Sequence, residues 1–337
     1  MSFFTLGAIN RVGIENQLVK LNTLIDWSLI APILKGLFKY EINGKGGQKP
    51  YNSLCMFKAI LLGQWHNLSD PALEEALRIR LDFILFTGLE SPEEVPDETT
   101  LCRFRNILIE KGLDESLFQA INRQLENLGL KIEKAHGAVV DATILQSAAR
   151  PRRTVENPEQ DRNEIEKPSC SKMEYSADKD ASWLVKGKKF YFGYKGFVIA
   201  DSEKGYIHKV CVTSANVSEC RQLPSLLKEI TNKRVYADKG YCSLENREFL
   251  KNKSLKDGIM HKATRGKNLK YSQKLFNRQV SKKRFIVEQA FGTLKRLFHF
   301  SRASYFSRIK VETQMKFKVI CFNLLKAINE VNLVPKS

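Results

Sequence analysis

Three acidic side chains in this sequence stand where an acid is either costly or rare. Asp141 interrupts Gly137-Ala-Val-Val-Asp-Ala-Thr-Ile144, a short run of apolar and β-branched residues that reads as a central strand buried on both faces. A carboxylate buried there costs several kcal/mol unless something compensates it, so the strand must present Asp141 at an edge, to a partner or to a metal. Asp238 ends a second apolar strand, Arg234-Val-Tyr-Ala237, ahead of a Lys239-Gly240-Tyr241 turn. Glu288 is the only acid in the 54 residues from Gly258 to Val311. On a helix, Arg284 and Lys295 share its stripe, which borders a buried face that includes Val287, Phe291 and Leu294. An ion pair between Arg284 and Glu288 at i, i+4 competes with a catalytic reading of that spacing.

Three carboxylates that meet in space repel one another, and divalent cations are the usual remedy. Magnesium suits such a site, with manganese as the alternative, because it is held by a few carboxylates while keeping waters and phosphate oxygens. Two ions about 3.5 to 4 Å apart can activate the attacking oxygen and stabilise the leaving oxygen of an in-line phosphoryl transfer.

The partner of such chemistry is indicated by charge. The chain has 337 residues, 43% hydrophobic and 27% charged, enough for one or two soluble domains, and carries a net charge of +18. Residues 251 to 337 hold 21 Lys and Arg against 4 Asp and Glu, with aromatics such as Tyr271, Phe285 and Tyr305 between them. That asymmetry points to nucleic acid. No window is long and apolar enough for a membrane span; Leu24 to Phe38, the best, is broken by Asp26 and Lys35. Met1-Ser-Phe-Phe4 lacks a basic run, so a cytoplasmic, DNA-associated protein without membrane contact is expected. Seven scattered cysteines without a C-x-x-C pair and five dispersed histidines give no disulfide framework and no zinc site.

The elements that must position the acids follow from periodicity. Residues 1–133 read as a helical DNA-binding domain: a helical pattern over Leu18 to Leu37, a loop at Gly44, Gly46 and Gly47, and a helix over Tyr51 to Trp65. Another helix is capped by Asp70 and ends near Gly88; further ones open at Pro96-Asp97 and at Asp114. Arg78, Arg80, Arg103 and Arg105 could set this domain on DNA. Residues 134–300 read as a catalytic domain with a polar insertion at about 146–189, and residues 301–337 as a basic C-terminal helical segment. Strands at Phe190 to Ala200 and Tyr206 to Thr213 form a hairpin; then come a helix from Ser218 to Ile230, the Asp238 strand, a helix from Ser243, a short strand at Gly258 to His261, a basic stretch and the Glu288 helix. This is the order of a ribonuclease-H-like α/β fold, a mixed sheet flanked by helices, with an all-α domain before it and an Asp-Asp-Glu triad on it.

From about residue 40 to 325 the sequence resembles the DDE transposases of bacterial insertion sequences, specifically the fifth insertion-sequence family. The matching segments are Pro96 to Arg105, Gly137 to Thr143, Lys186 to Lys195, Ala237 to Cys242 and Arg284 to Arg296. The family's glutamate motif is Tyr, two residues, Arg, three residues, Glu, six residues, Lys; Arg284, Glu288 and Lys295 fit it, while Ser281 stands in the tyrosine position. The resemblance implies that Asp141, Asp238 and Glu288 ligate two magnesium ions and that Arg284 and Lys295 contact DNA near the cleaved phosphate. Lys239, Arg103 and Arg105 are further expected DNA contacts. It implies hydrolysis at each element end to free a 3′-hydroxyl, attack by that hydroxyl on target double-stranded DNA, and a homodimer or larger assembly in the active complex. The residues alone leave two rivals: a metal-dependent nuclease that cuts without joining, and a DNA-binding protein whose triad is idle.

Overall fold

Short polar caps set the helix starts in the first third of the chain. The computed structural model describes residues 7, 11–38, 51–89, 95–131, 137–149, 178–231 and 233–333. Asn16 accepts from the Leu18 amide at 2.8 Å and opens α1 (Gln17–Leu24); Asn52 accepts from Leu54 and Cys55 and opens α2 (Ser53–His66). Helices α3 (Asp70–Ile79), α4 (Leu81–Thr87), α5 (Glu98–Glu110) and α6 (Leu113–Asn127) follow.

Three local expectations are corrected. The pattern over Leu18 to Leu37 is helical only as far as Leu24 and continues as two 3-10 turns, Trp27–Leu29 and Ala31–Leu34, with Asp26 capping the first. The helix expected from Asp70 to Gly88 is two, divided at Arg80, whose backbone is extended at φ −90°, ψ 114°. Its cap is Ser69, while the Asp70 carboxylate is engaged elsewhere. The expected glycine loop at 44–47 lies outside the described residues, as does the 150–177 part of the polar insertion.

Six strands form one mixed sheet: β1 (Gly137–Gln146), β2 (Ser182–Lys186), β3 (Lys189–Asp201), β4 (Ile207–Ser214), β5 (Arg234–Ala237) and β6 (Lys256–Ile259). β1 is central. It pairs antiparallel with β3 and parallel with β5; β4 lies antiparallel on β3 and β6 parallel on β5. An antiparallel half joined to a parallel half in this order is the ribonuclease-H-like sheet that the sequence implied. Helices α7 (Glu219–Leu226) and α8 (Leu244–Asn252) supply the parallel crossovers; α7 runs through Pro224 and ends at Leu226, short of the Ile230 that its apolar pattern suggests.

Two long helices complete the fold. α9 (Tyr271–Arg296) begins well before Arg284, inside what reads as a basic stretch, because its first turns are exposed and carry little apolar periodicity. α10 (Arg308–Leu333) is no surface segment. Val311, Met315, Phe317, Ile320 and Leu324 are buried between β4 and helices α1, α2 and α6, with the Phe317 ring 6.0 Å from that of Phe57. Its lysines turn inward: Lys316 pairs with Asp114 at 2.9 Å, and Lys318 donates to the Phe298 carbonyl at 2.6 Å. A part of the C-terminal positive charge is therefore structural. One apolar core runs through the helical region, α10 and one face of the sheet.

Candidate active site

β1 places Asp141 half-way along the sheet, where the burial pattern breaks from fully buried to intermediate. Asp238 follows the last residue of β5, the strand beside β1, and its carboxylate caps the 3-10 turn Lys239–Tyr241 by accepting from the Lys239 amide at 2.7 Å. α9 crosses β1 and β5 here and carries Glu288 with it. Residues distant in sequence are thus brought to one place by the parallel β1–β5 pair and by the helix packed on it.

They converge on a cation. The Arg284 guanidinium is buried, with Nη2 2.9 Å from Asp141 Oδ2 and Nη1 3.7 Å from Asp238 Oδ1 and 3.8 Å from Glu288 Oε1. Arg284 thus meets all three acids, although the sequence spacing suggests only its pair with Glu288. Burial raises the Asp141 carboxyl above the usual carboxylate range, more than the opposing pull of Arg284 lowers it, and the neighbouring Asp238 charge adds to the rise.

Among the described residues no three His, Cys, Asp or Glu groups lie close enough to hold an ion as they stand. Three hard carboxylate donors nevertheless surround one positive charge. Such a donor set fits magnesium or manganese better than a soft metal.

Two further groups border the acids and carry no sequence signal of their own. Glu219, at the start of α7, lies 3.5 Å from the buried Lys195 ammonium, and a side chain at Gly240 would meet its carboxylate at 2.6 Å. The Tyr241 hydroxyl is buried without a hydrogen-bond partner, and burial, Asp141, Glu219 and Asp238 together push its pKa well up. Only the turn Asp238 to Tyr241 hinted at either, through its glycine.

The remaining expected residues divide. Lys295 lies on α9 in a groove of about 610 Å³ that also contains Glu288, Thr143 and, from the β2–β3 hairpin, Lys186 and Tyr191. Partial burial and the Lys186 charge push its pKa down, against the pull of Asp141. Lys239 and Arg103 are exposed. Arg105 is not: it is buried, held by Asp70 through two hydrogen bonds of 2.8 and 2.5 Å, and stacked 4.4 Å from the Tyr305 ring. Its role is to fasten α5 to α3 and to the segment before α10, and it offers no donor to DNA.

Residues 134–324 match the model of the transposase DDE domain, and residues 9–106 match a transposase domain designated DUF772. The transposase for insertion sequence element IS1106 from Neisseria meningitidis serogroup B is 46% identical over 232 residues, 68% of this chain and 78% of that protein. Among solved structures, a piggyBac transposase synaptic complex with hairpin DNA aligns with 94% of this chain and 76% of its own, at 10% identity and a TM-score of 0.49. No helix among the described residues is long and apolar enough to cross a membrane. With one family model matching more than half of its length and a relative 46% identical over 68% of it, this chain belongs to the DDE transposases of insertion sequences.

Proposed function

We propose that this chain cleaves the ends of its insertion sequence and joins the freed 3′-hydroxyls to target double-stranded DNA by metal-dependent phosphoryl transfer. The observation that carries the reading is the convergence of Asp141, Asp238 and Glu288 on one buried positive charge beside the central strands of a ribonuclease-H-like sheet. Those three residues would hold two magnesium ions, or manganese, which when bound supply Lewis-acid activation of the attacking and leaving oxygens.

The chain's own groups do the rest. Arg284 keeps the carboxylates gathered and partly neutralised and, once DNA is bound, offers its guanidinium to a backbone phosphate. Lys295 lies on the same helix, two turns beyond Glu288, where an ammonium can fix the strand beside the acids. Exposed Lys239 flanks the second acid and Arg103 serves the helical domain, each as a phosphate contact. Acting on two element ends calls for at least two copies in the active complex.

The test supplies the full-length protein with a duplex carrying an element end, with a pre-cleaved end and a target plasmid, and with magnesium. Nicking followed by end joining is expected, and both should vanish in Asp141→Asn. Nicking without joining would make the protein a nuclease, and neither activity with retained DNA binding would make it an idle binder.

A further inference from the structure

The β2–β3 hairpin does more than extend the sheet. β1 pairs with β3 only as far as Gly193, with one more hydrogen bond from the Ser147 amide to the Phe192 carbonyl, and β4 only as far as Tyr194; from Lys189 to Tyr191, β3 is paired with β2 alone. Those residues form a two-stranded ribbon that leaves the body of the sheet. Gly187, at φ 63°, makes the two-residue turn between Lys186 and Lys189. Lys186, Lys188 and Lys189 are all exposed, and no acid occurs between Asp180 and Asp201.

Alternation gives the ribbon two faces. Lys186 and Tyr191 turn toward the groove that contains Glu288, while Lys295 reaches the same groove from α9 on the other wall. Two ammonium groups from separate elements thus share one groove beside the acids, and no described acid is paired with Lys186. Like charges held together by the fold cost free energy that an anion between them recovers. The Lys186 charge acts with the larger effect of burial to lower the Lys295 pKa.

We propose that the β2–β3 ribbon is the second jaw of the DNA cleft, and that Lys186 and Lys295 grip one backbone phosphate between them next to the acids. This rests on the reading of DNA as substrate. A duplex is the occupant of matching charge, since the ribbon offers lysines in a row and no acid. Phosphate contacts of this kind fix position without reading sequence. The ribbon therefore sets where the strand lies over Asp141, Asp238 and Glu288, whichever end sequence is bound.

The test measures binding of a fluorescent duplex to the full-length chain in EDTA, across a salt series. Lys186→Gln should weaken binding at least threefold and reduce the slope of log K against log salt by less than the roughly 0.9 of one whole phosphate on duplex DNA, because Lys295 still neutralises the shared group. Lys186→Arg should restore both. The double variant with Lys295→Gln should lose less affinity than the product of the two single losses, because both side chains hold one group. Unchanged affinity and slope in Lys186→Gln, or losses that multiply, would overturn the shared phosphate. So would a Lys186→Gln protein that binds DNA normally but loses self-association in sedimentation, which would make the ribbon a contact between copies. Those outcomes leave the transposase reading standing, whereas a wild-type chain with no salt-dependent DNA binding would overturn both.

Discussion

Arg284 donates to Asp141 at 2.9 Å from a position 143 residues later in the chain, and this contact joins the helix of the third acid to the strand of the first. The same guanidinium is within 3.8 Å of Asp238 and Glu288. One positive charge among three negative ones leaves the cluster short of cations, and a divalent ion that binds there in the DNA-free protein would compete with Arg284 for the same oxygens. Arg284→Gln is expected to melt at a lower temperature without metal, because a buried carboxylate loses its partner. Added manganese should restore its melting temperature and bind about tenfold more tightly than to the wild type, a coupling of ordinary size. Calorimetry of the two proteins without DNA measures both effects; equal manganese affinities would show that Arg284 does not compete.

Asp141→Asn, Asp238→Asn and Glu288→Gln should each abolish cleavage of an end-bearing duplex while DNA affinity changes less than threefold. Each removes a charged donor and keeps the side-chain shape. Substantial nicking by any one of them in magnesium would remove that residue from the catalytic set.

The order of elements was legible because each acid carried a local anomaly. Asp141 broke an apolar strand, Asp238 ended another, and Glu288 stood alone in a basic region. Arg284 was legible as a neighbour of Glu288 and not as the hub, since its contacts to Asp141 and Asp238 depend on how α9 crosses the sheet. Arg105 misled for a related reason. An arginine on a helix has no sequence mark for burial, and Asp70, its partner, also resembled a helix cap. The inward lysines of α10 were equally hidden, because their acceptors lie on α2, α6 and the turn after α9.

Lys295→Gln should keep the fold and lose cleavage of element ends, more than Lys251→Gln does. Lys251 is exposed on α8, outside the groove that Lys295 shares with Glu288. Exposed substitutions usually alter stability by no more than about 0.5 kcal/mol, so a loss of activity at an unchanged melting temperature reports on DNA placement. Wild-type cleavage by Lys295→Gln would leave that role to Arg284.

Removing residues 308–337 should abolish cooperative folding of the helical region as well as of the sheet. Phe317, Ile320 and Leu324 are buried against both, and Asn323 donates to Asn122 on α6 and to the Ile207 carbonyl on β4, each at 2.9 Å. Thermal melting by circular dichroism decides. A sharp transition for residues 1–131 alone would show that the helical region is self-sufficient and that α10 only leans on it.

The last expectation concerns stability in acid. His208 on β4 has its Nε2 buried with no hydrogen-bond partner, 4.0 Å from the Asp201 carboxylate, which already accepts from the backbone amides of residues 203 to 206. Burial, with the charges of Lys131 and Lys233 behind it, lowers its pKa to about 3. The ordinary value is near 6.5, so between these limits the unfolded chain binds a proton that the folded chain refuses. The stability this histidine permits is complete above about pH 6.5 and is lost as pH falls, by at most about 1.4 kcal/mol per unit. His208→Gln takes up no proton in either state. Its unfolding free energy should fall less steeply from pH 7 to pH 5 than that of the wild type, so that the two curves converge or cross in acid. Denaturant titrations at each pH would measure this; parallel curves would mean that His208 titrates in the fold as it does in the unfolded chain, and a wild-type curve that falls less steeply than that of His208→Gln would mean that it is protonated in the fold and paired with Asp201.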